Sequence, residues 1–259
     1  MPEFCTAERD GRLFIVTIDR PEVMNALHPP ANAELDVLFD EFAEDDDLWV
    51  AILTGAGDRA FSAGNDLKYT AANAGQPLVA SEHGFAGLTS RFGCWKPVIA
   101  AVNGVSMGGG FEIALACDLI IASERAVFAL PEPRVGLAAL AGGMQRLPRQ
   151  IGLKHAMGML LTGRRVSAAE GEQLGFVNEV VPHDELMSAA RRWAEEILVC
   201  APLSVRASKQ VAMQSLDAPC LEESLQRHYD AVGQLLKSED FVEGPRAFAE
   251  KRDPVWKGR

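Results

Sequence analysis

The chain has 259 residues, of which 25 are Lys or Arg and 36 are Asp or Glu, so the net charge at neutral pH is -11. Hydrophobic residues make up 48% and charged residues 24%, which excludes a disordered or fibrous protein. An acidic surface repels nucleic acid and anionic membranes, so neither is expected as a partner. A polyanionic ligand would need a local cationic patch.

The five cysteines are scattered, and none belongs to a CxxC pair. This usage is typical of reduced thiols, and we expect no disulfide framework and no metal site. The N-terminal residues 1–12 are too polar for a signal peptide and too acidic for a mitochondrial presequence. Apolar stretches fall far short of the ~20 residues that span a bilayer. We therefore expect a cytoplasmic protein.

The first two thirds of the chain alternate short buried strands with helices. Hydrophobic periodicity and β-branched runs predict, in order, strand Leu13–Ile18, helix 30–42, strand 50–53, strand Val98–Val102, helix 106–117, and strands 119–122 and Val127–Ala129. This alternation predicts the α/β fold class.

Beyond about residue 167 the strand signal almost vanishes, and only 176–181 keeps it. Ser167 has capping-box spacing to Glu170, and further helices are predicted over 184–199, from Pro202 and Pro219, and over 222–236 and 239–252. We divide the chain into a core, 1–200, that carries the site and a helical region, 201–259, without a flexible linker between them.

Residues 103–112 (NGVSMGGGFE) are the most informative stretch. Three consecutive glycines after a buried strand, at the start of a helix, leave backbone N–H groups bare at the positive end of the helix dipole. This arrangement suits an anion or a developing oxyanion. The alternative is that the glycines only allow close helix packing in a crowded core.

The same stretch contains a G-x-S-x-G pattern around Ser106, which alone suggests a serine hydrolase. The later histidines fall in helix or loop segments rather than at strand ends, so we interpret Ser106 as a residue at the start of a helix. His28 and His83 lack metal-ligand spacing and are expected on the surface.

A second glycine-containing turn, 61–68 (FSAGNDLK), follows the strand at 50–53 and could supply a second backbone donor to the same carbonyl oxygen. Two carboxylates also stand out. Glu112 lies in an otherwise apolar helix, and Glu132 lies between two prolines at the end of a strand. A carboxylate in an apolar site has a raised pKa and can act as an acid or a base near neutrality.

Together these residues resemble the enoyl-CoA hydratase/isomerase (crotonase) superfamily over nearly the whole chain. The matching motifs are DRP at 19–21, MNAL at 24–27, FSAGNDLK at 61–68, the stretch 96–118, Pro131-Glu132, LTGR at 161–164 and AFAEKR at 247–252. Segments 84–89 and 251–259 most resemble the carnitinyl-CoA dehydratase branch. The resemblance implies a crotonase-like spiral of ββα units with a helical C-terminal trimerisation region, assembled as a homotrimer or a dimer of trimers.

The resemblance also implies catalytic roles. The backbone N–H groups of Asn65 and Gly109 would form an oxyanion hole for a thioester carbonyl. Glu112 and Glu132 would be the two catalytic glutamates. In the addition direction Glu112 would deprotonate the attacking water and Glu132 would protonate the α-carbon, although this division could be reversed.

Coenzyme A would enter as part of the substrate, with no tightly bound cofactor. The resemblance implies that Ala63, Leu67 and Lys68 line the adenine and phosphate end, and that Phe248 and Lys251 reach it from a neighbouring subunit. These lysines would provide the cationic patch that an acidic protein needs for a polyphosphate ligand.

The implied activity is that of an acyl-CoA hydratase/dehydratase acting on an enoyl-CoA, with crotonobetainyl-CoA as one possible substrate. Tyr69, Phe85 and Phe92 are candidate aromatic partners for its trimethylammonium group. Asn65 and Leu140 depart from the family pattern and leave the acyl group open. An enoyl-CoA delta-isomerase and a non-catalytic CoA-binding paralogue remain the alternatives.

Overall fold

The computed structural model describes residues 3–73 and 81–259. The strands in these ranges are β1 (Cys5–Asp10), β2 (Leu13–Ile18), β3 (Val50–Gly55), β4 (Ala60–Ser62), β5 (Val98–Val102), β6 (Val105–Met107), β7 (Leu119–Ser123), β8 (Val127–Ala129), β9 (Val166–Ser167) and β10 (Glu179–Val181). The helices are α1 (Pro29–Glu44), α2 (Leu67–Ala72), α3 (Gly109–Ala116), α4 (Gly143–Ile151), α5 (Leu153–Thr162), α6 (Ala168–Leu174), α7 (Leu186–Leu198), α8 (Pro202–Ser215), α9 (Leu221–Gln226), α10 (Asp230–Leu235) and α11 (Glu239–Glu250), with short 3-10 helices at Pro21–Val23, Phe85–Gly87, Glu132–Val135 and His183–Glu185.

A six-stranded sheet in the order β1-β2-β3-β5-β7-β10 forms the centre of the fold. Strands β1 and β2 pair as an antiparallel hairpin, and the remaining neighbours are parallel. Every residue of β3 and β5 is buried, as expected when both faces of a parallel sheet are covered. Phe39 and Phe42 of α1 pack in the core on one face, whereas Ala190 and Ala194 of α7 pack in a second cluster on the other.

A smaller sheet, β4-β6-β8-β9, lies beside the first. Its strands β4, β6 and β8 directly follow β3, β5 and β7 in the chain, and a helix or 3-10 turn follows each of them. This repetition confirms the α/β class and the spiral of ββα units. Because β4, β6 and β8 are parallel neighbours, the turns at their carboxyl ends meet at one edge of the sheet. Those turns carry the candidate site residues.

Three predicted elements differ from the structure. The helix predicted over 106–117 begins at Gly109, because Val105–Met107 pairs with β4 and β8 as a strand. The strand predicted over 176–181 is confined to Glu179–Val181. The helix predicted over 222–236 is divided into α9 and α10, and the Tyr229 hydroxyl at the break donates to the Ser224 carbonyl at 3.0 Å.

Residues 201–259 form a helical region, as predicted, and residue 200 lies between α7 and α8; the division into two regions at this point stays a prediction. The last seven residues fold back on α11. Two of their N–H groups, from Lys257 and Gly258, donate to the buried Asp240 carboxylate, and the Trp256 indole donates to the Val199 carbonyl at 2.8 Å. In the described ranges, no helix combines the length and apolar character needed to cross a membrane.

Candidate active site

The first candidate donor lies in the turn after β4, which the MNAL motif holds in place. Asn25 adopts the left-handed conformation, and its side-chain amide donates to the Ala56 and Ala60 carbonyls at 3.0 and 2.7 Å. The Ser62 hydroxyl donates back to the Asn25 carbonyl at 2.8 Å. These contacts fix the end of β4 against residues 24–27.

Asn65 forms an isolated parallel bridge with Leu27. The Leu27 N–H donates to the Gly64 carbonyl at 2.7 Å, and the Asp66 N–H donates to the Leu27 carbonyl at 3.0 Å. In this pattern the flanking residues make both hydrogen bonds, so the N–H of Asn65 faces away from Leu27. The turn therefore presents a backbone donor that its own pairing does not use.

The second donor is Gly109, the first residue of α3. Gly64 allows the two turns to meet: its φ is +85°, and a Cβ there would lie 2.6 Å from the Met107 carbonyl oxygen and 2.7 Å from the Gly109 nitrogen. In the part of the chain that the structure describes, neither the Asn65 N–H nor the Gly109 N–H has a hydrogen-bond partner. The two predicted oxyanion donors thus belong to adjoining turns.

Phe85 covers Gly109. A Cβ at position 109 would lie 2.5 Å from Cε1 of the Phe85 ring, so any side chain there would collide with it. The alternative that these glycines allow close packing is therefore correct in part. Gly110 also lies tightly against the Ser62 carbonyl. Close packing and a free donor coexist at Gly109, because its α-carbon is packed while its N–H has no partner among residues 3–73 and 81–259.

Glu112 and Glu132 are both buried, at 3% and 9% exposure. Oε1 of Glu112 accepts the Gly143 N–H at 2.8 Å. Oε1 of Glu132 lies close to Gly108, 3.1 Å from where a Cβ there would be, and its buried Oε2 has no partner among the described residues. Both carboxyls therefore adjoin the first turn of α3.

Burial raises the pKa of Glu112 to about 7, although the Gly143 N–H opposes this rise, and the neighbouring Glu132 charge adds to it. Burial also raises the pKa of Glu132. A buried carboxyl with a raised pKa can act as an acid or a base near neutral pH. The two carboxyls can therefore accept and donate protons, and they lie beside two N–H groups that have no partner in the described ranges.

The residues predicted to contact CoA fall in two places. Ala63 is half-buried and donates its N–H to the Met24 carbonyl at 2.9 Å, and Leu67 and Lys68 are exposed at the start of α2. These three adjoin Asn65. Phe248 and Lys251 lie instead on and just after α11, where Phe248 is 88% exposed.

Ser106 does not start a helix, and the nucleophile elbow does not form. It lies in β6, is fully buried, and its hydroxyl has no partner in the described ranges. His183 contacts Ser123 instead, and His228 is exposed. A serine with no base and no solvent access cannot act as a nucleophile.

The expectation that His28 and His83 are surface residues is wrong. His28 is 7% exposed, because its ring packs edge-on between Phe4 and Tyr69. His83 is half-buried and contacts the Asp36 carboxylate at 2.9 Å.

Asp36, Asp40 and His83 are the one group in the described residues whose ligand atoms lie close enough together to share an ion. The Arg91 guanidinium donates to both carboxylates at 2.7 Å, so a cation already neutralises the cluster. The donor set does not favour a metal.

Sequence reasoning missed three features of the site. The Gly143 N–H donates to Glu112 from 31 residues away, Arg146 lies beside that turn, and Phe85 covers Gly109. The Gly142-Gly143 pair indicates that another segment approaches the backbone closely, but no neighbouring residue identifies that segment as the one with Glu112.

Leu140, in the same loop, is 80% exposed. Of the aromatic candidates for an acyl cation, Phe92 is 72% exposed.

Known proteins that resemble this chain are enoyl-CoA hydratases, isomerases and carnitinyl-CoA dehydratases. The family model for enoyl-CoA hydratase/isomerase matches residues 8–259. Carnitinyl-CoA dehydratases from Salmonella paratyphi A and Salmonella agona are 44% identical to this chain, and the match covers 100% of each. The structure of an enoyl-CoA hydratase from Mycobacterium tuberculosis has a TM-score of 0.92 at 37% identity, and one from Mycobacterium marinum has 0.92 at 38%; both cover 100% of either chain.

Proposed function

The chain belongs to the enoyl-CoA hydratase/isomerase family, and from that premise we propose that Glu112 and Glu132 add water to an enoyl-CoA thioester, with crotonobetainyl-CoA as the preferred substrate. The chain is a hydro-lyase of the hydratase/dehydratase kind. The observation that carries the proposed mechanism is the pair of buried glutamates beside two backbone N–H groups that have no partner among the described residues. The carnitinyl-CoA dehydratase relatives support the choice of acyl group.

The N–H groups of Asn65 and Gly109 receive the thioester carbonyl oxygen. As the β-carbon is attacked, the electrons of the double bond move onto that oxygen and form an enolate. Donors placed where charge develops stabilise the transition state more than the substrate, and each is worth about 3 kcal/mol. Their position at the start of α3 adds the positive end of the helix dipole.

The two glutamates move the protons. The ionised Glu112 accepts a proton from water while the water oxygen bonds to the β-carbon. The neutral Glu132 then gives its proton to the α-carbon, and the enolate collapses to the saturated thioester. This division requires Glu112 to be ionised and Glu132 to be neutral when the substrate binds.

The CoA moiety would lie along Ala63, Leu67 and Lys68. Phe248 and Lys251 would complete its site from a neighbouring subunit, because a large apolar side chain that is 88% exposed needs a cover. We propose a homotrimer, or a dimer of trimers, in which residues 201–259 bring this surface to the adjacent site. CoA is then carried by the substrate rather than held as a cofactor.

A panel of enoyl-CoA thioesters tests the substrate. We expect kcat/KM for crotonobetainyl-CoA to exceed that for crotonyl-CoA, measured by loss of the conjugated absorbance and by product mass. Phe85 is the aromatic ring nearest Gly109, so Phe85→Leu should lower this preference by about tenfold, as loss of a cation–π contact would. Phe92→Leu is the matched control on an exposed ring. Equal rates on both substrates would remove the trimethylammonium group from the proposal.

A further inference from the structure

Arg146, on the first turns of α4, lies between the two halves of the site. It is half-buried, and burial lowers the pKa of its guanidinium. One end of the guanidinium, Nη2, donates to the Thr89 carbonyl at 2.7 Å. The other end, Nη1, lies against Gly142, where a Cβ would collide with it. The side chain thus joins two segments that are more than 50 residues apart in the chain.

The Gly142 end leads to Glu112. Gly142 has a φ of +102° and is followed by Gly143, whose N–H donates to Glu112. Gly143 is itself packed tightly, since a Cβ there would lie 3.1 Å from Cγ of Glu112. A shift of this turn would therefore move the carboxylate or break its backbone hydrogen bond from Gly143.

The Thr89 end leads to Phe85. The Thr89 hydroxyl accepts the Phe85 N–H at 2.8 Å and closes the 3-10 turn Phe85–Gly87. That turn holds the Phe85 ring against Gly109. Loss of the hydrogen bond from Arg146 to the Thr89 carbonyl would therefore loosen the Phe85 ring beside Gly109.

We propose that Arg146 is a positioning residue of the reaction. Through Gly142 it keeps the Gly143 N–H on Glu112. Through Thr89 it keeps the Phe85 ring against Gly109. Its charge has a second effect. The cation stabilises the Glu112 carboxylate and opposes the rise in pKa that burial and Glu132 cause. Cys117, which also adjoins Arg146, stays neutral because burial raises its pKa.

This inference rests on the proposed function, and Arg146→Gln tests it. The substitution removes the charge and the paired contacts but keeps a polar, shorter side chain. We expect kcat for crotonyl-CoA to fall about tenfold or more with a smaller change in KM, because small misplacements of reacting groups are costly. We also expect one limb of the pH profile of kcat/KM to move up by about half a unit or more, the acid limb if Glu112 is the base.

Arg146→Lys separates geometry from charge. Lysine keeps the cation but cannot make the paired contacts, so kcat should fall while both pH limbs stay near those of the wild type. If Arg146→Gln fails to fold, the lysine variant still decides, because wild-type kcat in it would overturn the proposal.

Arg149→Gln is the matched control on the same helix. Arg149 is exposed and pairs with Asp217 at 3.0 Å, so this variant should keep the kcat and pH profile of the wild type. Arg146→Gln with unchanged kcat, or with reduced kcat and unmoved limbs, would overturn the proposal. A wild-type protein that hydrates no enoyl-CoA would instead refute the proposed function, so the two failures are distinguishable.

Discussion

At the scale of single residues, neighbouring residues predict the burial of both glutamates but not the hydrogen bond that holds Glu112. Glu112 stands among apolar neighbours in one helix and Glu132 between two prolines, so their burial was predictable from adjacent residues. The N–H that holds Glu112 belongs to Gly143 on another helix. No local pattern reports that contact, because it depends on how α3 and α4 pack.

The division of labour between the glutamates can be tested by substitution. Glu112→Gln and Glu132→Gln should each lower turnover by about 100-fold or more with little effect on CoA-ester binding, since general acid–base catalysis is typically worth 10²–10⁴. Butyryl-CoA has no double bond and tests α-proton transfer alone. In deuterated buffer, exchange of its α-protons should persist in Glu112→Gln and vanish in Glu132→Gln. The opposite outcome would reverse the two roles.

The raised pKa of Glu112 also predicts how stability changes with pH. Its carboxyl titrates at about 7 in the folded chain and near 4.5 when unfolded. Such a group contributes fully at pH values below the unfolded pKa, and that stability is lost as the pH rises through 7. The glutamine in Glu112→Gln does not ionise, so this variant does not lose that stability as the pH rises. The variant should gain about 2 kcal/mol over the wild type between roughly pH 5 and pH 8, measured by denaturant unfolding. A pH-independent difference would contradict the burial argument.

At the scale of elements, the turns after β4 and β6 were predictable, whereas the start of α3 was not. Consecutive glycines after a β-branched run indicate a turn that leaves backbone groups bare. Residues Val105–Met107 nevertheless form β6 because β4 and β8 lie on either side of them. Pairing of this kind joins distant segments, so a local reading placed Ser106 in a helix.

Gly64→Ala tests the approach of the two turns. Its new Cβ would meet the Gly109 nitrogen and the Met107 carbonyl, so we expect turnover to fall about tenfold or more. Gly11→Ala is the matched control, because Gly11 also has a positive φ, +58°, but has nothing within 4 Å of its Cβ position. Gly11→Ala should lose roughly 1 kcal/mol of stability from the positive φ, and Gly64→Ala should lose more because its Cβ also meets backbone atoms. Equal turnover in the two variants would show that Gly64 does not position the oxyanion donors.

At the scale of the whole molecule, the helical content of residues 201–259 was predictable and the break at 227–229 was not. The amphipathic pattern continues through the break, which depends on Tyr229 bonding back to Ser224. Exposed apolar residues on several helices, Leu153 and Leu161 on α5 and Leu221 and Leu225 on α9 among them, indicate surfaces that need a cover. Subunits of the same chain would supply it in the proposed trimer.

Deletion from Glu239 onward tests the assembly role. It removes α11 and the tail that Asp240 and Trp256 hold in place, so we expect a smaller species in light scattering and weaker binding of CoA esters. Lys251→Ala should raise KM for CoA esters, more at low salt, without changing the assembly. Lys237→Ala is the control on another exposed lysine. If the truncated chain kept the wild-type mass in light scattering and the wild-type affinity for CoA esters, the segment would have no role in assembly or in CoA binding.

The fate of the solvent oxygen tests the central claim most directly. The wild-type protein is incubated with crotonyl-CoA in water labelled with the heavy isotope of oxygen, and the product is analysed by mass spectrometry. We predict label in a β-hydroxyl group of an intact thioester, strongly reduced in Glu112→Gln and Glu132→Gln and unchanged in Ser106→Ala. An unlabelled product with a shifted double bond, label in a free carboxylate, or no reaction on any enoyl-CoA would contradict it.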